Sequence, residues 1–235
     1  MVKTVNFKNP KYVGDPINTV RIFNEKEVDE LIFLDIEATP KNLEPNYKLL
    51  NEIASECFMP LAYGGGIKSL EQAHKIFNIG IEKVAINSST HYNLNLINQI
   101  AKNYGNQAVI AVIDFKKDLF GKYQIVSHSG KEKHGRHLEP WIKQLESAGA
   151  GELLVTSVDR EGTWSGMDIE LIQRVTACSS VPVIAHGGAG TVEHIKEAIL
   201  DGKANAVAMG SMVVYQKKDF GVLINFPDKN LLDTV

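Results

Sequence analysis

The chain has 235 residues, of which 44% are hydrophobic and 23% are charged, and its formal net charge is −3. This composition is typical of a globular protein with a large core, and the weak charge argues against a nucleic-acid or membrane surface. The N-terminus lacks the apolar core of a signal peptide, and no apolar run reaches the roughly 20 residues that cross a bilayer. We therefore predict a cytoplasmic protein in which Cys57 and Cys178 are free, buried thiols.

Short apolar segments alternate with longer amphipathic segments along the whole chain. Parallel strands buried on both faces are predicted at 31–36, 59–63, 83–87, 108–114, 152–158, 181–185 and 205–209. Helical spacing is found at 46–57, 69–80, 93–105, 138–151, 169–179 and 191–202, and residues 123–130 read as a hairpin excursion. This alternation predicts one α/β domain spanning 1–235, with a (βα)8 barrel favoured over a doubly wound open sheet.

An internal repeat supports the barrel. A shift of 122 residues places Pro60 on Pro182, the glycine pair at 65–66 on the pair at 187–188, and Ser89 on Ser211. Two half-barrels of four βα units explain this match, but only seven full strands can be counted. The mate of the strand at 108–114 would precede Met1, so we predict an N-terminally truncated barrel. A slot should separate the strands at 31–36 and 205–209.

The duplicated glycine pairs predict two phosphate sites. A strand that ends in Gly-Gly before a helix turns tightly and exposes backbone N–H groups to an anion. One site would combine GGAG (187–190) with MGS (209–211), and the other would combine GGGI (64–67) with INSS (86–89). The predicted phosphate-binding residues are Gly65, Gly66, Asn87, Ser88, Gly187, Gly188, Gly210 and Ser211. Two such sites across one mouth imply a substrate with a phosphate at each end.

Several segments together resemble the cyclase subunit (HisF) family of imidazole glycerol phosphate synthase. They are NFKNPKYVGDP, LIFLDIEAT, YGGGI, KVAIN, VIDFK, GAGELLVTSVDREGT and AHGGAG, and the similarity runs from Lys3 to about Ser211. The resemblance implies a lyase of histidine biosynthesis that takes ammonia from a glutaminase (HisH-like) partner subunit. It would convert a bisphosphorylated aminoimidazole carboxamide ribotide (PRFAR) to imidazole glycerol phosphate and AICAR.

The resemblance also assigns the catalytic centre. The family's catalytic pair is two aspartates, at the ends of strands 1 and 5. The second matches Asp114 in VIDFK, whereas the first would lie on the strand that is missing here. The alternative for Asp114 is a turn or N-cap aspartate. Without the first aspartate we expect impaired catalysis from this chain.

Further positions are assigned to substrate binding. Asp35 matches an acidic position near the family's active site, and Lys3 matches a lysine of the mobile loop over the substrate. Lys116 is a candidate substrate contact. Glu161, next to Gly162, replaces the family's aspartate in the loop after strand 6.

The histidines predict no metal centre. His186, between a strand and a glycine pair, should point into the mouth. No two histidines form a ligand pair with a nearby carboxylate, so we predict neither a metal ion nor another cofactor.

At the opposite end of the barrel, the resemblance implies an ammonia gate. Glu30, Lys83 and Glu152 match charged residues around the family's ammonia entrance, and a fourth member, an arginine, would lie on the missing strand. A structural ring of salt bridges is the alternative interpretation. Gln107 and its surroundings would dock the glutaminase.

Other functions stay open at this point. The ending GVLINFP (221–227) replaces the family's long final helix. It resembles HisF-like paralogues from surface-polysaccharide gene clusters, which are thought to deliver ammonia for acetamidino-sugar formation. A non-catalytic phosphate-binding barrel is a third possibility. Pro-FAR isomerase is a further relative in the same fold, but VTSVDREGTWSG and YGGGI followed by VAIN are closer to the cyclase.

Overall fold

The computed structural model of the chain describes residues 1–216, 221–227 and 232. The strands are β1 (Val2–Val5), β2 (Lys8–Tyr12), β3 (Leu31–Leu34), β4 (Leu61–Gly64), β5 (Lys83–Ile86), β6 (Val109–Lys117), β7 (Tyr123–Ser127), β8 (Glu132–His134), β9 (Glu152–Ser157), β10 (Val183–His186) and β11 (Ala206–Ala208). The helices are α1 (Pro16–Glu25), α2 (Tyr47–Glu56), α3 (Leu70–Asn78), α4 (Asn95–Tyr104), α5 (Leu138–Ala148), α6 (Ile169–Thr176), α7 (Val192–Leu200) and α8 (Ser211–Val214).

Seven strands form one parallel sheet in the order β3-β4-β5-β6-β9-β10-β11. Helices follow the strands in βα succession, so the predicted (βα)8-type barrel is confirmed. Within the described ranges, β3 and β11 each pair with a single neighbour. Among the described strands, the predicted gap between β3 and β11 is therefore present.

The sheet has two apolar faces with different partners. The large core cluster includes Phe115 and Val155 from strands and Leu50 and Trp141 from helices, so it lies between the sheet and the helical layer. The second cluster consists of strand residues only, and it lines the inside of the barrel. Its members are Ile32, Ala62, Ala85, Ile110, Val112, Leu154, Ile184 and Ala208. Each of the seven parallel strands supplies at least one.

The repeat is exact in the placement of several elements. Helix α3 at Leu70–Asn78 and helix α7 at Val192–Leu200 are 122 residues apart at both ends. Their N-caps, Ser69 and Thr191, have φ of −141° and −143°, and each side-chain oxygen accepts a hydrogen bond from a backbone N–H of the first turn. The two-half-barrel prediction is thus confirmed. Among the described elements of the sheet, only β6 lacks a mate within the chain.

The structure adds elements that the periodicity did not indicate. Helix α1 was not predicted, although Asp15 caps its N-terminus and Pro16 opens its first turn. Strands β1 and β2 form an antiparallel hairpin that corresponds, 122 residues on, to the β7–β8 hairpin. The expected excursion after β6 is therefore confirmed, and it also exists at the N-terminus.

Some smaller expectations needed correction. The two cysteines are free, but both are half-buried rather than buried, because they lie at or just beyond the ends of α2 and α6. Residues 221–227 contain no helix. They turn back towards the end of α8, where Val222 forms an isolated antiparallel β-bridge with Tyr215. None of the helices in the described ranges is long and apolar enough to cross a membrane.

We predict that the two end strands of the sheet open locally before its centre does. Amide protons of β3 and β11 that face away from their single neighbour should exchange at least about 100-fold faster than those of β9, which is paired on both sides. Hydrogen exchange followed by NMR measures this. Equal protection in β9 and β11 would show that another segment covers the gap.

Candidate functional site at the barrel mouth

The inward-facing side chains form three layers along the barrel axis. Because alternate residues of a strand share a face, Glu30, Lys83 and Glu152 precede the apolar inner residues of β3, β5 and β9 by two positions. Asp114, Thr156 and His186 follow apolar inner residues by two positions on β6, β9 and β10. The interior is therefore charged at the amino end of the strands, apolar in the middle and polar at the carboxyl end.

A row of hydrogen bonds runs across the carboxyl end. Asn87 Nδ2 donates to Asp114 Oδ2 over 2.8 Å, and the Thr156 hydroxyl lies close enough to the Asp114 carboxyl to lower its pKa. Thr156 Oγ1 lies 3.1 Å from His186 Nδ1. The strand registers pair Asp114 with Thr156 and Thr156 with His186, so parallel pairing alone sets the row. Asn87 and Asp114 were expected at the mouth, and Thr156 was missed.

Burial without a counter-charge sets the ionisation of this row. Burial raises the pKa of Asp114 to about 7, and hydrogen bonds from Thr156 and Asn87 offset part of that effect. Burial lowers the pKa of His186 to about 4, so its imidazole is neutral at pH 7. The carboxyl group can therefore hold or release a proton near neutral pH, which suits general acid–base chemistry.

The two glycine pairs lie at the same end of the barrel, after the parallel strands β4 and β10. All four glycines have positive φ, as the turns require. A Cβ on Gly65 would lie 2.5 Å from the Asp35 carbonyl oxygen, and one on Gly188 would lie 2.2 Å from the Gly166 carbonyl oxygen. The glycines are thus needed for packing against neighbouring loops, whether or not an anion binds.

Two short helices begin beside these turns with similar geometry. The N-cap of the 3-10 helix Ser88–His91 is Asn87, with φ −117° and ψ −85°. The N-cap of α8 is Gly210, with φ −115° and ψ −89°, and Ser211 follows it. The two halves therefore carry equivalent helix starts at the mouth, offset by 123 residues rather than 122.

The N-terminal hairpin covers one side of the mouth. Both carboxylate oxygens of Glu161 accept hydrogen bonds from it, from Thr4 Oγ1 and from the Phe7 backbone N–H, each at 2.9 Å. A Cβ on Gly162 would lie 2.1 Å from the Thr4 carbonyl oxygen. Glu161 therefore anchors the hairpin, and both of its carboxylate oxygens are used in these hydrogen bonds.

The remaining predicted substrate residues surround the same opening. Lys3 lies in the hairpin with its Nζ 5.1 Å from the centre of the Tyr215 ring. Asp35 Oδ1 accepts hydrogen bonds from two backbone N–H groups of its own turn, at 2.9 and 3.0 Å. Lys116 follows Asp114 by two residues and is on the same face of β6. Asp35 thus has a structural role in this conformation.

At the amino end, one lysine bridges two carboxylates. Lys83 Nζ lies 2.8 Å from both Glu30 Oε2 and Glu152 Oε1. Burial lowers the pKa of Lys83, but hydrogen bonds to the two glutamates and their charges outweigh this, so the net pKa is raised. The other oxygens, Glu30 Oε1 and Glu152 Oε2, are buried and have no partner in the described part of the chain. The cluster therefore keeps two buried acceptors that none of the described residues satisfies.

The described residues contain no group of three or more His, Cys, Asp or Glu side chains that could hold a metal ion. His186 was expected to face the mouth and does so, since it follows the inner residue Ile184 by two positions on β10. The link between His186 and Asp114 could not be found from spacing, because it depends on which strands are neighbours.

Together, fold and site define a (βα)8-type barrel with an ionisable carboxyl group at its mouth and a charged cluster at its base. A family model described as histidine biosynthesis protein matches residues 1–219. The chain belongs to this family, and its relatives include HisF-type subunits of imidazole glycerol phosphate synthase.

Three relatives illustrate the match. "Putative imidazole glycerol phosphate synthase subunit hisF2" of Pseudomonas aeruginosa is 49% identical over 99% of this chain and 93% of its own. "Putative imidazole glycerol phosphate synthase subunit HisF" of Leptospira borgpetersenii is 45% identical over 97% of this chain and 90% of its own length. "Imidazole glycerol phosphate synthase subunit HisF" of Alkaliphilus metalliredigens is 38% identical over 92% of this chain and 86% of its own length.

We predict that Asp114→Asn stabilises the protein at high pH. Because the folded-state pKa is raised from 3.8 to about 7, the folded protein binds this proton more tightly, and stability is lost as pH rises through that interval. The variant should exceed wild type by up to about 4 kcal/mol at pH 8 and by less than about 2 kcal/mol at pH 5. Urea denaturation measures both values. The exposed Asp201→Asn variant is the control, and an advantage independent of pH would contradict the assignment.

We predict that Lys83→Met destabilises the protein by roughly 1–3 kcal/mol at pH 7, because two half-buried carboxylates lose their shared cation. Adding Glu30→Gln and Glu152→Gln should restore most of the loss. Lys75→Met removes an exposed pair of the same 2.8 Å length and should cost less than about 1 kcal/mol. Thermal melts decide, and equal losses for Lys83→Met and Lys75→Met would refute the proposed strength of the cluster.

Proposed function

We propose that the chain is the cyclase subunit of an imidazole glycerol phosphate synthase. It would use ammonia to convert PRFAR to imidazole glycerol phosphate and AICAR in the cytoplasm. The observation that carries the proposal is Asp114, a buried carboxyl group whose pKa lies near neutrality at the mouth of the barrel. In this role Asp114 moves protons to and from the imidazole-forming centre of the substrate.

The layered interior supports the delivery of ammonia from the other end. Ammonia is small and neutral, so it can cross an apolar layer that excludes ammonium. Three of the inner residues are alanines, Ala62, Ala85 and Ala208, which keep side-chain volume low. The cluster of Glu30, Lys83 and Glu152 would act as the gate, with a further cation satisfying the unpaired carboxylate oxygens.

The mouth offers two equivalent anchors for a bisphosphorylated substrate. One phosphate would contact the backbone at Gly65, Gly66, Asn87 and Ser88, and the other the backbone at Gly162, Gly187, Gly188, Gly210 and Ser211. Lys3 and Lys116 would balance the substrate's charge, while Asp35 and Glu161 would orient the loops. The reaction needs no cofactor in this scheme.

A glutaminase subunit would supply the ammonia. The names of the relatives describe subunits of a synthase, which implies a partner chain. The partner would dock on the amino face, where the charged cluster opens and where the exposed Gln107 lies at the start of β6. The substrate would remain on the opposite face.

The proposal predicts ammonium-dependent release of AICAR when the chain is mixed with ammonium salt and PRFAR. Asp114→Asn should lower this release at least about 100-fold through loss of acid–base catalysis. Asp201→Asn is the matched control. Absorbance or chromatographic detection of AICAR measures the rate, and release that Asp114→Asn leaves unchanged would overturn the role of Asp114.

A second candidate is ammonia delivery to an amidotransferase that forms acetamidino sugars. The extended stretch at 221–227 favours it, since it stands where the resemblance leads one to expect a long helix. The charged and apolar layers would serve this function without Asp114. Binding of PRFAR without AICAR release, or no binding at all, would favour delivery or a non-catalytic barrel over the cyclase, and genomic neighbours would separate histidine from glycan synthesis.

A further inference from the structure

Two side chains with no part in the scheme above connect Asp114 to the open mouth. Thr156 is the register neighbour of both Asp114 and His186. Its hydroxyl lies 3.1 Å from His186 Nδ1 and close enough to the Asp114 carboxyl to lower the pKa of that group. Thr156 is buried, whereas the His186 ring is partly exposed. In the described part of the chain, His186 Nε2 has no hydrogen-bond partner, so the outer end of this row is available to a ligand or to water.

The hydroxyl of Thr156 has one proton, which couples the states of its two neighbours. When Asp114 is ionised, Thr156 donates to the carboxylate, and His186 must then donate its Nδ1–H to Thr156 Oγ1. When Asp114 is protonated, its O–H donates to Thr156, and Thr156 donates to a bare Nδ1. In that state the imidazole proton is on Nε2. Asn87 Nδ2 donates to Asp114 Oδ2 in both states.

From this geometry we infer that His186 and Thr156 form a proton relay between the barrel mouth and Asp114. A proton bound at His186 Nε2 releases the Nδ1 proton to Thr156 Oγ1, and the original hydroxyl proton of Thr156 passes to the Asp114 carboxylate. One proton enters at the mouth and one arrives at Asp114. His186 and Thr156 are neutral before and after, so no charge is left in the barrel interior.

The surroundings of the row favour this neutral transfer. Asp114 pairs with Val126 on β7 and His186 pairs with Ala208 on β11, and neither partner is ionisable. The charged groups around the mouth include Lys3 on β1, Lys116 on β6, Asp35 after β3 and Glu161 after β9. The causes that set the two pKa values are burial, Thr156 and Asn87 rather than these charges. Imidazolium at His186 is therefore disfavoured above about pH 5, since its pKa is lowered to about 4.

Only the purpose of the relay rests on the proposed function. In that function the relay would let the buried Asp114 exchange its proton with substrate or water. The histidine tautomer itself can be observed without turnover. The experiment is a pH titration of the full chain labelled with 15N-histidine, recorded from pH 5 to 9 by long-range 1H–15N NMR. The chain has seven histidines, and the signal lost in His186→Asn identifies the one of interest.

In wild type, His186 should stay neutral and change from the Nε2–H to the Nδ1–H tautomer as pH rises, with a midpoint near 7. Asp114→Asn should hold the Nε2–H tautomer at every pH, because an amide mimics the protonated carboxyl. Thr156→Val should abolish the coupling to Asp114, and Thr156→Ser should keep it. Unchanged signals from the other six histidines show that each variant is folded.

A single His186 tautomer across the whole range in wild type would overturn the relay, as would the same change in Thr156→Val. If Thr156→Val does not fold, Thr156→Ser and Asp114→Asn still decide. Loss of the relay and loss of the proposed function are distinguishable. A tautomer change without any AICAR release refutes the cyclase function but supports the relay. AICAR release with a fixed tautomer supports the cyclase function but refutes the relay.

Discussion

The alternation of side chains along parallel strands is the constraint on which the site depends. Every second residue of β3, β5, β6, β9 and β10 faces the barrel interior, and parallel pairing brings residues of equal height together. A slip of one residue in a strand would exchange its inner and outer side chains. Asp114 would then face the helical layer, and the charged cluster at the base would be broken.

The two ends of the interior manage charge in different ways. At the base, Lys83 lies between two glutamates, so one cation is shared by two carboxylates at 2.8 Å each. At the mouth, Asp114 accepts a hydrogen bond from Asn87, no cation among the described residues forms an ion pair with it, and burial shifts its pKa towards neutrality. The same fold therefore keeps the ions fixed at one end and leaves one group free to titrate at the other. That contrast is what acid–base chemistry at only one end requires.

Much of the architecture could be predicted because it is encoded locally and then repeated. The shift of 122 residues, the apolar strand runs and the glycine pairs led to the two half-barrels and to the gap between β3 and β11. Helix α1 was missed, since its apolar stripe is short and polar residues interrupt it. The first hairpin was not predicted, because the sequence of β2, KNPKY, has no alternation of apolar and polar residues.

The sequence predicted where the site lies, but not which of its side chains contact one another. Asp114, Asn87 and the glycine turns are marked by strand ends, which spacing reveals. Thr156 is an ordinary strand residue in sequence, and its importance arises from the register of β6, β9 and β10. Glu161 was expected to contact substrate, and its hydrogen bonds to the N-terminal hairpin, across more than 150 residues, could not be inferred without the fold.

The most direct measurement of the central claim is the ionisation of Asp114 itself. The chain labelled with 13C at aspartate carboxyl groups can be titrated from pH 3 to 9, with the Asp114 signal identified by its loss in Asp114→Asn. The account predicts a midpoint near 7 for this one aspartate. A midpoint near the ordinary value of 3.8 would mean that the group is fully ionised at the mouth, and the acid–base role argued for it would be lost.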